Sequence, residues 1–382
     1  MPTRVTAILV AQRGSHWLDE TLAALAAQTR RPDRIIAVDN GGGDALAARL
    51  TAATVDGVVS TGSKMSFGRA VALGVAAAVG APPAAGAQGP AGSPAENDWI
   101  WLLSEDSAPE PEALANIIAA VQRSPSVAIA GPKLVDWEHP ERIIELGQSL
   151  TRTGSRWKLR RQELDQEQYD HLQDTLGVGP VGMLVRQDVW MRLGGFDPAL
   201  AVYDDGLDLS VRARLAGFRV IVAPHSRIRF AQIGVAGPQI DRRRSVLRTA
   251  HRQARTSALH RRLAYAPAAL VPFYWIALPF IGVLRMVWAL LREQPGNMLG
   301  ELSAALRVFF RPGAVARARH RIKQDRAVGW DAVRPLRVDP KSVRTARMID
   351  REALRAAQGR TRPELHFVST GGLGVLLGAL VA

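Results

Sequence analysis

Cysteine is absent from this chain of 382 residues. Disulfide bonds and thiolate metal sites are therefore excluded. Acidic residues are also scarce, because 35 Asp and Glu stand against 49 Lys and Arg, which gives a formal net charge of +14. This excess indicates a polyanionic partner, which can be membrane phospholipid, nucleic acid or a phosphate-rich substrate.

The N-terminus lacks a long apolar run. The apolar run in the N-terminal sequence MPTRVTAILVAQRGSHW is too short for a secretory signal peptide. We therefore expect the N-terminal domain to stay in the cytoplasm, where it is made. Hydrophobic residues still make up 47% of the chain, so a substantial core can form.

Short apolar runs alternate with helical patterns up to about residue 240. The runs predict strands at 5–11, 35–38, 55–60, 99–103, 127–131, 181–185 and 219–223. Helical patterns lie at 19–27, 45–53, 67–79, 111–123, 188–193 and 208–216, whereas residues 132–176 are polar and irregular. This alternation predicts an α/β fold with a mainly parallel sheet flanked by helices. Residues 80–97 are Gly, Pro, Ala and Ser with almost no charge, which predicts a flexible surface insertion.

Three acidic clusters stand at strand ends or in loops of this region. Asp39 ends the second strand, Glu105 and Asp106 follow the strand that begins at Trp99, and Asp204 and Asp205 precede a helix. Ligands of open parallel sheets bind just past the carboxyl ends of the strands. Single acids there can merely cap the next helix, but three clusters favour a binding site.

Such a site suits a nucleotide diphosphate. Hard, oxygen-preferring Mg²⁺ or Mn²⁺ can join the diphosphate to one or two carboxylates and stabilise charge on the departing group. A separate carboxylate would take the proton from an acceptor hydroxyl. A further acid can accept hydrogen bonds from a uracil or thymine ring.

Three segments of the chain resemble family 2 glycosyltransferases, which have the GT-A fold. They are VTAILVAQRGSHWLDETLAALAAQTRRPDRIIAVDN, WLLSEDSAPEPEAL and VGMLVRQDVWMRLGGFDPALAVYDDGLDLSVRARLAGFRVIVAP, in the family's order and within residues 4–232. The resemblance implies an inverting, metal-dependent transferase that uses a nucleotide-sugar donor, either UDP- or dTDP-linked. On the donor side it implies that Asp39 contacts the nucleobase, Asp106 binds Mn²⁺ or Mg²⁺, Glu105 faces the ribose or metal, and Ala11 and Gln12 lie against the nucleotide.

On the acceptor side, the resemblance implies that Asp205 is the general base, with Asp204 as the second candidate. Asp208 would orient the site or cap its helix. Arg69 follows a Gly-rich turn that can approach the donor diphosphate, or that simply starts a helix. Trp137 is the acceptor-side aromatic residue expected to stack on a sugar ring.

Two departures from the family pattern stand out. The acidic segment reads Ser-Glu-Asp at 104–106, so a strict Asp-X-Asp is absent. Many members carry a metal-binding His where Phe230 stands here, and His225 lies five residues earlier. These departures leave open a catalytically weak scaffold that docks cell-envelope machinery at the membrane.

After about residue 240 the chain becomes basic and partly apolar. Residues 241–262 are basic with a helical period, 264–284 carry no charged side chain, and 285–366 have more than twice as many Arg and Lys as Asp and Glu. The apolar stretch is long enough to span a membrane. Its basic flanks favour instead a hairpin or an interfacial segment on anionic lipid, and a buried helix pair is the third alternative.

We therefore predict a catalytic domain at 1–240 and a basic, membrane-associating region at 241–382. Residues 371–382 resemble the start of another membrane helix, so we expect the chain to continue in a longer protein. The expected acceptor is a cell-envelope glycan or a lipid-linked glycan. Nucleic acid is not an expected partner, because no reader motif is present. A nucleotidyltransferase could share the α/β fold, but it would carry a Gly-rich loop with Arg or Lys after the first strand. The loop AQRGSHW fits that pattern poorly.

Overall fold

The apolar runs of the N-terminal half form one twisted sheet in the computed structural model. The structure describes residues 3–80, 97–151, 154–159, 163–200, 203–236, 239, 244–291 and 295–339, together with 341, 343–345 and 348. Contacts divide the chain into two units, 1–337 and 338–382, and every element below belongs to the first. The predicted boundary after residue 240 falls inside that unit. The predicted insertion, except residues 80 and 97, and the apolar end at 371–382 lie outside the described residues.

Twelve strands are present in the described part of the chain. They are β1 (Arg4–Ala11), β2 (Arg34–Asp39), β3 (Gly57–Ser60), β4 (Asp98–Ser104), β5 (Ser107–Pro109), β6 (Val127–Asp136), β7 (Arg142–Glu145), β8 (Gln148–Leu150), β9 (Arg156–Lys158), β10 (Glu163–Leu164), β11 (Leu184–Arg186) and β12 (Arg219–Phe230).

Ten of these strands form one sheet, in the order β10-β7-β6-β11-β4-β1-β2-β3, with β12 paired to β5 and β6. The half made of β4, β1, β2 and β3 is entirely parallel. The other half is mixed, because β11 runs antiparallel between β4 and β6 whereas β12 runs parallel to β6. The predicted α/β class with a mainly parallel, helix-flanked sheet is confirmed.

The described helices flank this sheet and then continue beyond it. They are α1 (His16–Ala26), α2 (Asp44–Ala52), α3 (Phe67–Gly80), α4 (Ala113–Gln122), α5 (Gln187–Leu193), α6 (Asp205–Leu215), α7 (Arg244–Tyr265), α8 (Val271–Leu291), α9 (Pro295–Phe309), α10 (Pro312–Asp325) and α11 (Trp330–Val333). Strand β1 is almost fully buried, as its continuous apolar run predicts for a strand covered on both faces.

The polar stretch 132–176 is more regular than its sequence indicates. Strand β6 continues to Asp136, and β7, β8, β9 and β10 follow. The reason lies in buried ion pairs: the Lys133 ammonium is 2.9 Å from Asp165 and 2.7 Å from Asp170. Because Lys133 is only 1% exposed, its charge breaks the apolar pattern of a strand that is nevertheless internal.

The helices after residue 243 form a layered assembly. Helix α9 contacts both α7 and α8 extensively. One helical stretch in the described residues, Ala268–Trp288, is long and apolar enough to cross a membrane, and most of it is exposed.

Candidate active site

The carboxyl ends of the parallel strands meet at one edge of the sheet. The register pairs Ala11 with Asp39, Asp39 with Ser60, and Val10 with Ser104. The first two acidic clusters predicted from the sequence therefore lie at the same sheet edge, as expected for parallel strands.

Asp39 is buried and firmly held at this edge. One oxygen accepts the Gly42 N–H at 2.7 Å, and the other accepts the Ser60 hydroxyl at 3.3 Å. The next residue, Asn40, clamps the loop before α3: its amide donates to the Met65 carbonyl at 3.0 Å and accepts the Met65 N–H at 2.8 Å. The end of β2 thus fixes the position of the loop before α3.

Asp106 is a buried carboxylate without an ion-pair partner in the described part of the chain. It accepts the Ser104 hydroxyl at 2.5 Å and the Ile233 N–H at 2.9 Å. Burial, with a smaller effect of neighbouring Glu105, raises the pKa of Asp106 to about 6. Because its second hydrogen bond reaches the segment after β12, Asp106 also fixes the course of that segment.

Glu105 supports the first loop. Its carboxylate accepts the backbone N–H groups of Arg13 at 3.0 Å and Gly14 at 2.9 Å, while its own carbonyl accepts the Thr21 hydroxyl at 2.9 Å. In this arrangement the side chain shapes the loop after β1.

Asp205 begins α6 and is 1% exposed. Its Oδ1 accepts the Gly206 N–H at 2.9 Å, and its buried Oδ2 has no hydrogen-bond partner among the described residues. Burial, with a smaller effect of Asp204, raises the pKa of Asp205 to about 7. An orphan carboxylate oxygen with a pKa near neutrality is suited to accept a proton.

Asp204 is held differently from its neighbour. It adopts a left-handed backbone conformation, φ 70°, that non-glycine residues rarely take. Its carboxylate is 3.3 Å from Arg156 and forms a buried ion pair with Arg261. With both oxygens engaged by guanidinium groups, Asp204 is less available than Asp205 as a base.

Asp208 is also occupied by protein groups. Arg212 donates to one oxygen at 2.8 Å and the Tyr265 hydroxyl donates to the other at 2.8 Å. Nearby, His260 lies 3.0 Å from Asp197. The C-terminal end of α7, a helix the sequence assigned to a separate basic region, therefore secures the loop and first turn that carry Asp204, Asp205 and Asp208.

A cleft of about 310 Å³ opens beside the sheet edge. The loop after β1 supplies Gln12 and Arg13, and the loop before α3 supplies Lys64. Partial burial, followed by repulsion from Arg13, lowers the pKa of Lys64. Two cations close enough to repel each other form a basic rim suited to a diphosphate.

A second, smaller cavity of about 30 Å³ contains Asp205. We call it the base pocket; its polar lining is Glu145, Gln148, Arg156, Asp204, Asp205 and Gln232. Tyr203 lines the cleft, and the next residue, Asp204, lines the base pocket. Likewise, Val235 lines the cleft and Ala236 lines the base pocket. The two cavities therefore adjoin across two short segments of chain.

Other residues singled out by sequence lie elsewhere. Ala11 is buried at the end of β1, and Arg69 is exposed on α3 without lining the cleft. Trp137 is 8% exposed and packs edge-on against Trp17, 4.8 Å between centroids, with Arg229 over its ring. Little of the Trp137 ring is thus available for a sugar.

Phe230 is buried and lines the base pocket. His225 is exposed, 3.6 Å from Asp170, and lines two other cavities, so the structure does not bring it to Asp106. Sequence reasoning missed Arg13, Glu145, Gln148 and Gln232. The signal available for Arg13 was its place in the loop directly after the first strand.

The family model described as glycosyltransferase like family 2 matches residues 2–264. The chain belongs to this family. Known relatives include the galactofuranosyltransferase GlfT1 of Mycobacterium tuberculosis, 29% identical over 57% of this chain and 66% of that protein. The same enzyme of Mycolicibacterium smegmatis is 28% identical over 56% of this chain. This family member thus spans slightly less than two thirds of those relatives' length.

Solved structures similar to this family member include S. aureus TarS 1–349 in complex with UDP-GlcNAc. The TM-score is 0.43 with 11% identity, covering 81% of this chain and 92% of that one. GalNAc-T7, crystallised with UDP, GalNAc and Mn²⁺, gives a TM-score of 0.46 with 12% identity, covering 71% of this chain and 54% of that one.

Proposed function

We propose that this family 2 member is an inverting glycosyltransferase that uses a nucleotide-diphosphate sugar, with Asp205 as its general base. The observation that carries the proposal is the orphan Oδ2 of Asp205, buried in a cavity next to a basic cleft. An acceptor hydroxyl would donate its proton to Oδ2. Its oxygen would bond to the anomeric carbon as the bond to the diphosphate breaks, and the nucleotide would leave with the electron pair. One direct displacement inverts the carbon.

The cleft is the proposed donor site. Arg13 and Lys64 at its rim would contact the diphosphate, and Asp39 at the neighbouring strand end would lie under the base. A UDP-linked sugar is the leading candidate and a dTDP-linked sugar the second. Because the relatives are named galactofuranosyltransferases, galactofuranose is the first sugar to test.

The charge of the site favours the binding of a divalent cation more clearly than the arrangement of its side chains does. Glu105 and Asp106 are adjacent buried carboxylates with no ion-pair partner in the described part of the chain, so a cation would relieve their repulsion. No group of three or more His, Asp or Glu side chains within the described ranges could hold a metal by itself. Asp106 would therefore hold Mn²⁺ or Mg²⁺ together with the donor phosphates, and the metal would stabilise charge on the leaving diphosphate.

Asp205→Asn tests the base directly. We expect the variant to bind UDP as the wild type does, in a thermal-shift titration with Mn²⁺, and to lose at least about a hundredfold in transfer rate. Asp188→Asn, whose partly exposed carboxylate pairs with the buried Arg186 away from both cavities, is the control and should retain activity. Unchanged transfer by Asp205→Asn would remove the proposed base.

The competing function is a catalytically weak scaffold, which the buried Phe230 favours because an apolar ring stands at the position where the family resemblance predicts a metal-binding His. The same titration separates the two. A scaffold would show no UDP or UDP-sugar binding with Mn²⁺, and Asp205→Asn would then change nothing.

We further propose that α8 lies along a membrane surface. Its exposed stripe consists of Phe273, Ile276, Phe280, Leu284, Trp288 and Leu291. The opposite face packs on α9, where Glu301 is buried and lies 2.9 Å from Arg255 and 3.9 Å from Arg285. A full crossing would carry this charged cluster toward the hydrocarbon core, so an in-plane position is favoured.

Vesicle flotation tests the membrane proposal. Wild-type protein should float with vesicles containing anionic phosphatidylglycerol more than with phosphatidylcholine alone, because Arg-rich helices flank the stripe. Phe273→Ser with Phe280→Ser should reduce flotation with both vesicle types. The control is Leu73→Ser with Leu164→Ser, because these two leucines are also exposed but lie outside α8. Equal flotation by both double variants would argue against α8 as the contact. The acceptor consistent with this location is a cell-envelope or lipid-linked glycan.

A further inference from the structure

The small two-stranded sheet of β8 and β9 brings an arginine to the turn that begins α6. The register of the two strands pairs Leu150 with Arg156. The Arg156 guanidinium lies 3.3 Å from Asp204 and 5.4 Å from the centre of the Tyr203 ring. Arg156 also lines the base pocket, which contains Asp205. The sheet therefore places one cation beside two adjacent aspartates.

A second cation reaches the same turn from α7. Arg261 is 1% exposed and forms an ion pair with Asp204. Another nitrogen of its guanidinium donates to the Gly154 carbonyl at 2.8 Å, in the loop that joins β8 to β9. Arg261 thus ties the loop before Arg156 to Asp204, and both guanidinium groups converge on one carboxylate.

Charged and titratable groups on the elements around α6 pair with one another. These pairs are Arg212 with Asp208, Tyr265 with Asp208, His260 with Asp197, Gln148 with Glu145, Arg192 with Asp325, Lys133 with Asp165 and Arg219 with Asp174. Helices α10 and α11 pack on α6 through apolar side chains, among them Ile322 and Val333. Among the described residues, Arg156 and Arg261 are therefore the cations that pair with Asp204.

The charges of this cluster balance only when Asp205 is ionised. Two guanidinium groups and the Asp204 carboxylate leave one excess positive charge, which the Asp205 carboxylate cancels. Without Arg156, the same ionisation would leave two carboxylates beside one guanidinium. Because a nearby opposite charge favours the ionised form of an acid, the second arginine makes it easier for Asp205 to release its proton.

Close packing keeps bulk water away from these charges. A Cβ on Gly206 would lie 2.6 Å from the Val178 carbonyl, and one on Gly179 would lie 2.6 Å from the Glu145 carboxylate. The base pocket itself, at about 30 Å³, has room for little more than water. Charges interact strongly where solvent is scarce, so the balance of this cluster acts directly on Asp205.

We propose that Arg156 and Arg261 are positioning residues that neutralise Asp204, so that Asp205 can lose its proton beside it. This inference rests on the proposed role of Asp205 as the base. Burial and then Asp204 raise the pKa of Asp205, and Arg156 lowers it. The small sheet of β8 and β9 thus has a task in the reaction, which is to hold a cation against the turn that carries the base.

The test replaces the partly exposed Arg156 by Gln and, separately, by Lys. Arg192→Gln is the matched control, because Arg192 also pairs with an aspartate and lies over an aromatic ring, yet lines neither the cleft nor the base pocket. Each protein is also made with Asp205→Asn, and the Tm of every protein is measured from pH 5 to pH 9. The Tm difference between a protein and its Asp205→Asn form follows the ionisation of Asp205 without requiring transfer.

We expect this Tm difference to level off near pH 7 in the wild-type background. In Arg156→Gln it should level off about one pH unit higher, because one nearby opposite charge is lost. The kcat/KM of transfer by Arg156→Gln should accordingly be about tenfold lower than that of the wild type below pH 7 and should recover above about pH 8. Arg156→Lys, which keeps the charge, and Arg192→Gln should match the wild type.

Several results would overturn the inference. They are an unchanged plateau in Arg156→Gln, an equal shift in Arg192→Gln, a shift in Arg156→Lys as large as that in Arg156→Gln, and a loss of transfer by the same factor at every pH. Failure of the proposed function looks different, because Asp205→Asn would then transfer sugar as fast as the wild type. In that case the Tm differences still decide whether the two arginines control the ionisation of Asp205.

Discussion

Replacing Asp205 by Asn should reduce the loss of stability that the protein suffers as pH rises, while lowering transfer at least about a hundredfold. Burial raises the pKa of Asp205 from 3.8 to about 7. Between these values the folded protein keeps a proton that the unfolded chain has released. Folding stability therefore falls as pH rises through this window, and the loss is complete above the folded pKa.

The size of the effect follows from the same pKa values. Between about pH 5 and 8 the unfolded Asp205 is already ionised, while the folded group ionises only near 7, so about two pH units contribute about 3 kcal/mol. The Asn side chain carries no such cost. For a unit of 337 residues, 3 kcal/mol corresponds to about 4 °C in Tm.

The assay compares Tm for the wild type and Asp205→Asn at pH 5 and at pH 8. Asp106, whose pKa burial raises to about 6, adds its own pH dependence to both proteins and cancels in the comparison. The new Asn N–H₂ group, which lacks an acceptor, lowers stability equally at both pH values. The Tm difference, variant minus wild type, should therefore rise by about 4 °C from pH 5 to pH 8. A difference that stays constant or falls would show that Asp205 is not a buried, uncompensated carboxylate.

Three further outcomes are expected. The kcat/KM of transfer should rise tenfold per pH unit and level off near pH 7, where Asp205 ionises; a flat profile from pH 5 would contradict a base with this pKa. Asn40→Ala removes both hydrogen bonds to the loop before α3. The donor KM should therefore rise about tenfold, and urea unfolding should show that the free energy of unfolding falls by about 1–3 kcal/mol. An unchanged donor KM would show that this loop does not contribute to donor binding. Gly206→Ala places a methyl group 2.6 Å from the Val178 carbonyl and should lower the free energy of unfolding in urea by about 1–3 kcal/mol. Gly313→Ala is the control, because its methyl group meets only a flexible side chain at 3.5 Å and should lower stability less. Equal losses of stability would contradict the close approach at Gly206.

The sheet edge that carries Asp39 and Asp106 could be predicted from sequence because both residues follow regular elements. Asp39 and Asp106 come directly after apolar strand runs, and parallel pairing brings the ends of such strands together whatever the loops do. The same regularity gave the helix boundaries of α3 and α5 to within a residue or so. Local pattern and tertiary position agree in these elements.

The surroundings of Asp205 could not be predicted in the same way. Gln148 and Glu145 come from the polar stretch at 132–176, where buried ion pairs such as that of Lys133 and Asp165 conceal the strand pattern. Their position beside Asp205 depends on antiparallel strands and on two close backbone approaches. None of these contacts leaves a periodic signal in the sequence, so the residues that complete the pocket became visible only in three dimensions.

Part of the positive charge of the chain is buried and paired inside the fold. Arg212 and Arg261 are 3% and 1% exposed, and both are paired with aspartates of α6 or its approach. Such charges are neutralised internally and add nothing to a surface that meets lipid. Because α7 supplies Arg261 and Tyr265 to the turn that carries Asp205, and because α9 packs on both α7 and α8, the basic region is physically continuous with that turn. A composition shift at residue 240 therefore marks a change of environment for the helices, and the turn that carries Asp205 depends on residues on both sides of it.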